Sequence, residues 1–401
     1  MTTSERRTTY REVLAHREFT AVLVAWSVSM LGNVMAHVAL SFLVFSRSGS
    51  PLLAAISFSI GWVPHLFVGT LFAGLPDRVP ARRLMVSADL LCAAFVGLMV
   101  VPGLPIPVLL LLVVLEGCVT PIFQAGRAST LPDLLPGDHY VVGKALLSLV
   151  AQSSQLVGYA LGGALLAVVA PTTALLIDAA SFVVSALVLR MGTREHAPVR
   201  SPATSLARDS LEGVRLIGRD RRLRALLLLS WLPPMLGVVP EAIAIPYSAA
   251  HGSGGSGAGL LFAAVAGGVI LGELVVARLF RPATRLRAMG VLALAIFVPP
   301  LVFFARPPII VAIVLFFLSG LGWSYGLAKS QLLLDALPLE LRTRGLSMEQ
   351  SGAMLTQGIG FVLAGAVAEV LKPHQVIAYG GLTGLVVTAL VLAEVRATKP
   401  R

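Results

Sequence analysis

The sequence predicts an all-α polytopic membrane protein of twelve transmembrane helices arranged as two six-helix repeats. Three observations lead there. Of 401 residues, 56% are hydrophobic and 13% charged, against about 25% charged in an ordinary soluble domain. A water-exposed fold could not cover that much apolar surface without leaving large patches. The apolar residues gather into twelve runs, each near the ~20 residues that a helix needs to cross the hydrocarbon core. The second half of the chain also repeats the first at a constant offset.

The start, to Glu18, is polar and arginine-rich. The first run, 19–45, is too long for a signal-peptide core and no small-residue cleavage site follows it, so it reads as a retained helix. Five further runs lie near 52–74, 84–102, 106–127, 143–169 and 172–190. A polar tract follows, and within it Ser205–Arg224 alternates charge with Leu211, Val214, Ile217 and Leu223, the pattern of a short interfacial amphipathic helix. Six more runs lie near 225–247, 257–278, 286–305, 308–333, 346–371 and 375–395. The expected organisation is a six-helix bundle over 1–190, a linker over 191–223 and a second bundle over 224–401.

The charges orient these spans. Alternate connections hold 27 of the 31 Lys and Arg residues, whereas the opposite set holds three: Arg47, Arg306 and Lys372. Basic loops stay in the cytoplasm, so both termini are expected there, which requires an even number of spans. The net charge of +11 therefore marks loops at a membrane surface and excludes a nucleic-acid partner. Arginine outnumbers lysine 27 to 4, as in GC-rich bacterial genomes, and the expected location is the bacterial cytoplasmic membrane.

The repeat has an offset of 202. Gln155-Leu-Val-Gly-Tyr-Ala-Leu-Gly-Gly-Ala164 aligns with Gln357-Gly-Ile-Gly-Phe-Val-Leu-Ala-Gly-Ala366, five positions being identical and Tyr159 meeting Phe361. The same offset pairs Arg127 with Lys329, Asp133 with Asp335, Pro136 with Pro338, Asp138 with Glu340 and Gly143 with Gly345. Agreement through a helix end, a polar loop and the next helix points to duplicated halves, the architecture of alternating-access transporters.

Between the second and third runs stands Gly74-Leu-Pro-Asp77-Arg78-Val-Pro-Ala-Arg82-Arg83. It resembles the loop signature of the major facilitator superfamily, a glycine followed by Asp-Arg and a basic pair. Ala125–Pro136, Ile177–Phe182 and Glu212–Asp220 are similar to the branch that includes macrolide-efflux and enterobactin-exporter-like proteins. The resemblance covers essentially the whole chain. It implies the major facilitator fold, an export direction, a cytoplasmic gate at Gly74, Asp77, Arg78, Arg82 and Arg83, and a central cavity bounded by spans one, four, seven and ten. Two positions depart from the branch. Gly32-Asn33 stands where it has Gly-Asp, and Tyr159 replaces the proline of its span-five antiporter pattern.

Several polar residues lie within the apolar runs. Ser29, Asn33, His37 and Ser41 recur every four residues in the first and form one slowly drifting stripe. Such a stripe faces other helices or a water-filled cavity; Asn33 and His37 are assigned to the cavity, and the serines fit helix–helix bonding equally well. In the fourth run Glu116, Thr120, Gln124 and Arg127 share a face. Glu116, near mid-membrane, is the first candidate for carrying a coupled proton, with Asp178 and Glu241 as the others; each also suits a fixed structural pair. Asp89 and Glu273 read as structural. Arg127 and Lys329 occupy matching helix ends, where they either snorkel or form gate ion pairs with Asp133, Asp335 or Glu349. Gln124, Trp231, Trp323 and Tyr325 are candidate cavity residues, although packing explains each aromatic ring as well.

Other signals fail. Gly252-Ser-Gly-Gly-Ser-Gly257 matches a dinucleotide pattern with no strand before it. Gly143-Lys144 lacks the spacing and the Ser/Thr of a phosphate loop. No His/Cys set has metal-ligand spacing, and Cys92 and Cys118 read as packing residues. No cofactor, metal or enzymatic constellation is expected. The expected function is secondary export of a small amphipathic compound such as a drug, antibiotic or secondary metabolite, with protons as coupling ion; the alternative is a metabolite importer or uniporter of the same fold. The sequence assigns no oligomeric state.

Overall fold

The computed structural model describes residues 10–62, 64, 75, 78–135, 138–195, 220–338 and 342–398. Among them every regular element is helical. After a short α1 (Tyr10–Leu14), the first half contains α2 (Arg17–Ser48), α3 (Pro51–Ser59, continued by a 3-10 turn at Ile60–Trp62), α4 (Ala81–Met99), α5 (Ile106–Leu134), α6 (Asp138–Val168) and α7 (Pro171–Gly192). The second half contains α8 (Arg221–Gly237), α9 (Val239–Ala250), α10 (Gly254–Leu279), α11 (Pro282–Ala295), α12 (Val298–Leu301), α13 (Ile309–Gly322), α14 (Tyr325–Ala336), α15 (Arg342–Ala368) and α16 (Pro373–Ala397). These segments fall on the twelve apolar runs and, joined across their breaks, give nine spans among the described residues that are long and apolar enough to cross a membrane. Side chains such as Val291, Ile310 and Leu390 stand 66–74% exposed, the surface that lipid covers in a membrane protein. The amphipathic stretch expected at 205–224 lies outside the described residues up to 219, and its last residues open α8.

By its own packing the chain parts into two compact units. One comprises Met1–His37, Pro64–Gly158 and Ala170–Ala203, and the other Val38–Val63, Tyr159–Val169 and Thr204–Arg401. The sequence division near 190–224 is thus crossed: the end of α2, all of α3 and the end of α6 pack with second-half helices. Within this second unit α3 lies on α15. A Cβ on Gly365 would come 2.8 Å from Ala55 Cβ, so the helices meet backbone to backbone. Ser50 caps α3 by accepting from Leu53 N–H at 3.1 Å, and Glu369, just beyond α15, accepts from Ser50 Oγ and from Leu52 N–H.

The repeat is visible in local packing. Leu135 ends α5 by donating its N–H to Leu131 O, and Leu337 ends α14 by donating to Leu333 O. The glycine one connection later packs on that leucine in both halves: a Cβ on Gly143 would meet Leu135 Cδ1 at 2.3 Å, and one on Gly345 would meet Leu337 Cδ2 at 2.5 Å.

Three second-half spans are broken, and at two of the breaks a carbonyl freed by proline is satisfied from a neighbouring helix. Proline supplies no N–H to the carbonyl four residues earlier. Pro233 frees Leu229 O, which accepts from Tyr325 Oη at 3.2 Å. Pro300 frees Ile296 O, which accepts from Ser319 Oγ at 2.7 Å. In hydrocarbon an unpaired carbonyl costs several kcal/mol, so breaks persist where a neighbour supplies a donor. The third break, at Trp323–Ser324, divides α13 from α14.

Spans α10 and α13 touch through glycine. A Cβ on Gly268 would lie 2.1 Å from Phe317 O, and one on Gly320 2.3 Å from Val265 O. Gly268→Val is therefore expected to force these helices apart and to cost about 3 kcal/mol or more, at or beyond the upper end of ordinary overpacking. A melt of detergent-solubilised protein checks it, with Gly326→Ala, where a Cβ meets open space, as the control.

Candidate functional site

In the first unit the polar residues of three spans converge. Glu116 of α5 is 6% exposed, and its Oε1 accepts from Asn33 Nδ2 of α2. Asp178 of α7 is fully buried. Its Oδ1 accepts from Ser181 Oγ at 3.2 Å, whereas Oδ2 has no partner among the described residues. Asp178 also lies within electrostatic reach of Glu116. Gly32 explains how the third span enters: a Cβ there would stand 2.4 Å from Ser181 Oγ and 2.6 Å from Asp178 Oδ1. The dipeptide Gly32-Asn33 therefore admits one acid and holds the other. Among the described residues the two buried carboxyls share one amide and one hydroxyl donor, too few to hold two full negative charges.

The rest of the first-span stripe is engaged in packing or local bonds. Ser29 donates to Trp26 O, and Ser41 is bonded to Ala54 O and Ser57 Oγ of α3; His37 is half-buried. Gln124 is exposed part-way along α5, a place where a polar side chain faces water rather than lipid. Arg127 stacks on Trp26, its guanidinium carbon 4.0 Å from the ring centroid, and its buried Nη1 has no partner among the described residues. Asp89 accepts from Ser185 Oγ at 2.5 Å, tying α4 to α7.

Of the basic loop, Gly74 and Asp77 lie outside the described residues. Arg78 is exposed, Arg82 donates to Arg190 O at 2.6 Å near the end of α7, and Arg83 pairs with Glu195 at 2.6 Å. Arg82 thus supplies the positive charge that a helix C-terminus favours.

In the second unit Lys329 pairs with Glu349 at 2.6 Å, the side chains being 12% and 15% exposed. Trp231 Nε1 donates to Glu349 O at 3.1 Å, and its ring fills the notch left by Gly352. Tyr325 is 2% exposed and bonded to Leu229 O. Trp323 packs against Gly237, and its Nε1 lacks a partner among the described residues. These three rings are built into contacts between spans. Glu241 is half-buried in the first turn of α9, directly after the break in its span, where free N–H groups favour an acid. Lys329→Ala would leave Glu349 buried and unpaired, an expected loss of about 3–5 kcal/mol, whereas the double change Lys329→Met with Glu349→Leu is expected to be near neutral. Chemical-denaturant or thermal melts separate the two.

A feature that the sequence reading missed lies in the same unit. Phe58 of α3, Tyr159 of α6, Phe262 of α10 and Phe361 of α15 form one aromatic layer. Phe58 stacks on Phe361 and Phe262 with centroids 5.0 and 5.6 Å apart, Tyr159 lies 5.3 Å from Phe262, and Trp62 sits edge-on to Phe361 at 5.5 Å. Each of the four is within 8% of full burial. Counted from Pro51, Val168, Gly254 and Ala368, each ring stands seven to nine residues into its helix, a common depth of about 10–14 Å at 1.5 Å per residue. The signal available was the repeat pair Tyr159/Phe361; Phe58 and Phe262 have no aromatic repeat mate.

Among the described residues no group of three or more His, Cys, Asp or Glu could hold a metal ion. Cys92 is a buried free thiol and Cys118 a half-buried one. Gly252–Gly257 joins α9 to the start of α10, with no strand before it.

A family model described as transmembrane secretion effector matches residues 9–400. The chain belongs to this family of the major facilitator superfamily. The multidrug efflux pump Tap of Mycolicibacterium fortuitum is 26% identical over 369 residues, covering 88% of this chain and 90% of that one. Macrolide efflux protein A of Streptococcus pyogenes is 20% identical over 225 residues, 54% of this chain and 55% of that one. The nucleoside transporter NupG has the same fold, with a TM-score of 0.74 at 12% identity over 94% of this chain and 98% of the other. For a major facilitator protein, the Glu116–Asn33–Asp178 cluster links α2, α5 and α7, the first, fourth and sixth spans, and has no copy in the second half. The repeat mates of Asn33, Glu116 and Asp178 are Met235, Leu318 and Gly380.

Proposed function

We propose that this protein is a proton-coupled exporter of small amphipathic compounds, drugs, antibiotics or secondary metabolites, working by alternating access in a bacterial cytoplasmic membrane with both termini in the cytoplasm. The observation that carries the coupling is the buried pair Glu116 and Asp178, of which one oxygen is held by Asn33 and another, Asp178 Oδ2, has no partner among the described residues. Protonation of the pair biases the inward-open and outward-open states, because each buried charge added to it is costly in one state and hydrated in the other. Gln124 and Arg127, lower on the same α5 face, line the substrate path; His37 lies one turn beyond Asn33. The efflux names of the relatives support the direction.

The aromatic layer is the closure on the side of the helix ends that the charge pattern places outside. It joins two first-half helices to two second-half helices, and the Glu369 clamp on the start of α3 lies beyond it.

Accumulation of a panel of fluorescent and antibiotic compounds in cells expressing the protein tests this, with and without a protonophore. Lower accumulation that the protonophore restores supports proton-driven export. Unchanged or raised accumulation that ignores the protonophore would favour an importer or uniporter, to which the amide of Asn33 in place of an acid lends weight.

A further inference from the structure

Within the second unit a cavity of about 360 Å³ opens beside the aromatic layer, a size at the small end of ligand pockets, which span roughly 300–1,000 Å³. Ile56, Ile60 and Trp62 of the second span form one wall, and Leu355, Ile359 and Val362 of α15 the other. The three α15 residues are 37–42% exposed, so the cavity mouth faces outward. Counted from Pro51 and Ala368, the walls run from five to thirteen residues into their helices, a depth of about 8–20 Å at 1.5 Å per residue. That lies inside a hydrocarbon core about 30 Å thick.

The wall carries no ionisable group. Besides the Trp62 indole its polar side chain is Ser59, whose hydroxyl is already donated to Ala55 O at 3.0 Å. A ligand with a charged or hydrogen-bonding group would lose its solvation there without replacement. A hydrocarbon chain loses nothing, and at this depth hydrocarbon is the surrounding solvent. We propose that this cavity is a lipid site that holds one acyl chain of a membrane phospholipid between the second and eleventh spans. The inference is independent of transport direction and coupling.

Gly358 provides the means to test it. It lines the cavity, and a Cβ built on it meets nothing within 4 Å, so the side chain of Gly358→Phe or Gly358→Leu starts into open space and is expected to fill the cavity. The full chain is reconstituted in vesicles containing phosphatidylcholine with a diazirine midway along one acyl chain, irradiated, and mapped by peptide mass spectrometry. Labelling of the cavity residues is expected to exceed that of the more exposed Val291 and Leu390 by about tenfold, a preference of about 1.4 kcal/mol. It is expected to fall to their level in Gly358→Phe, with Gly358→Leu serving if the larger ring compromises folding. Uniform labelling of all outward-facing apolar residues would overturn the proposal. So would labelling by a photoreactive lipophilic drug that displaces the lipid, which would make the cavity a substrate site instead.

Discussion

Glu116→Gln is expected to lower concentrative, proton-driven efflux by at least about tenfold, a loss of ~1.4 kcal/mol or more of coupling, while the protein still folds. The reason is geometric. A glutamine carbonyl still accepts from Asn33 Nδ2, so the bond between α2 and α5 survives and only the exchangeable proton goes. Asn33→Ala does the reverse: it leaves the acid and removes its donor, which costs about 1–3 kcal/mol for a buried acceptor left unsatisfied. Efflux into vesicles with an imposed pH gradient, beside downhill exchange without one, distinguishes the cases. Loss of uphill export with exchange retained assigns the proton to Glu116. If Glu116→Gln keeps uphill export and Asp178→Asn loses it, the carrier is Asp178, and if neither matters the proton-coupled reading fails.

Phe58→Ala is expected to have the next largest effect. Phe58 contacts Trp62, Tyr159, Phe262 and Phe361. Four aromatic contacts at about 0.5–1.5 kcal/mol each amount to roughly 2–6 kcal/mol that exist while the layer is closed. Removing them shifts a two-state equilibrium by a factor of about 30 or more toward states that lack the layer. The expected readout is raised labelling by a membrane-impermeant thiol reagent at a cysteine placed at Ser50, with substrate turnover reduced. Leu260→Ala, which removes a residue 55% exposed on the same helix as Phe262, should leave that labelling unchanged. Equal labelling in Phe58→Ala and the parent would show that the layer closes nothing.

The reach of the sequence follows from what each signal depends on. Span positions depend on composition along the chain, and the repeat on a constant offset, so both were legible, down to the Leu135/Gly143 and Leu337/Gly345 contacts that the offset matched without showing. Glu116 and Asn33 were legible as buried polar residues, since a bilayer makes such residues conspicuous. Their pairing was not, because a hydrogen bond between residues 83 apart leaves no spacing to read. Gly32 stood out as half of a motif, whereas its physical role is to let Asp178 approach. Tyr325 was selected by residue type as a cavity candidate, and the structure engages its hydroxyl with the carbonyl that Pro233 frees; the proline was visible, its distant donor was not. The aromatic layer draws one ring from each of four spans, and only the comparison of depths across helices reveals it.

The breaks in the second half have a mechanical meaning. In the first half α2, α5, α6 and α7 run unbroken for 22–32 residues and behave as stiff rods that carry the carboxyl pair. The seventh, ninth and tenth spans are jointed rods. At two of the joints a neighbour's hydroxyl, Tyr325 or Ser319, holds the orphaned carbonyl, so the rod can flex there without presenting a bare dipole to lipid. Among the described residues, shape change is thereby allotted unequally, with the joints placed in the half that lacks the carboxyl pair and that pair kept on unbroken helices.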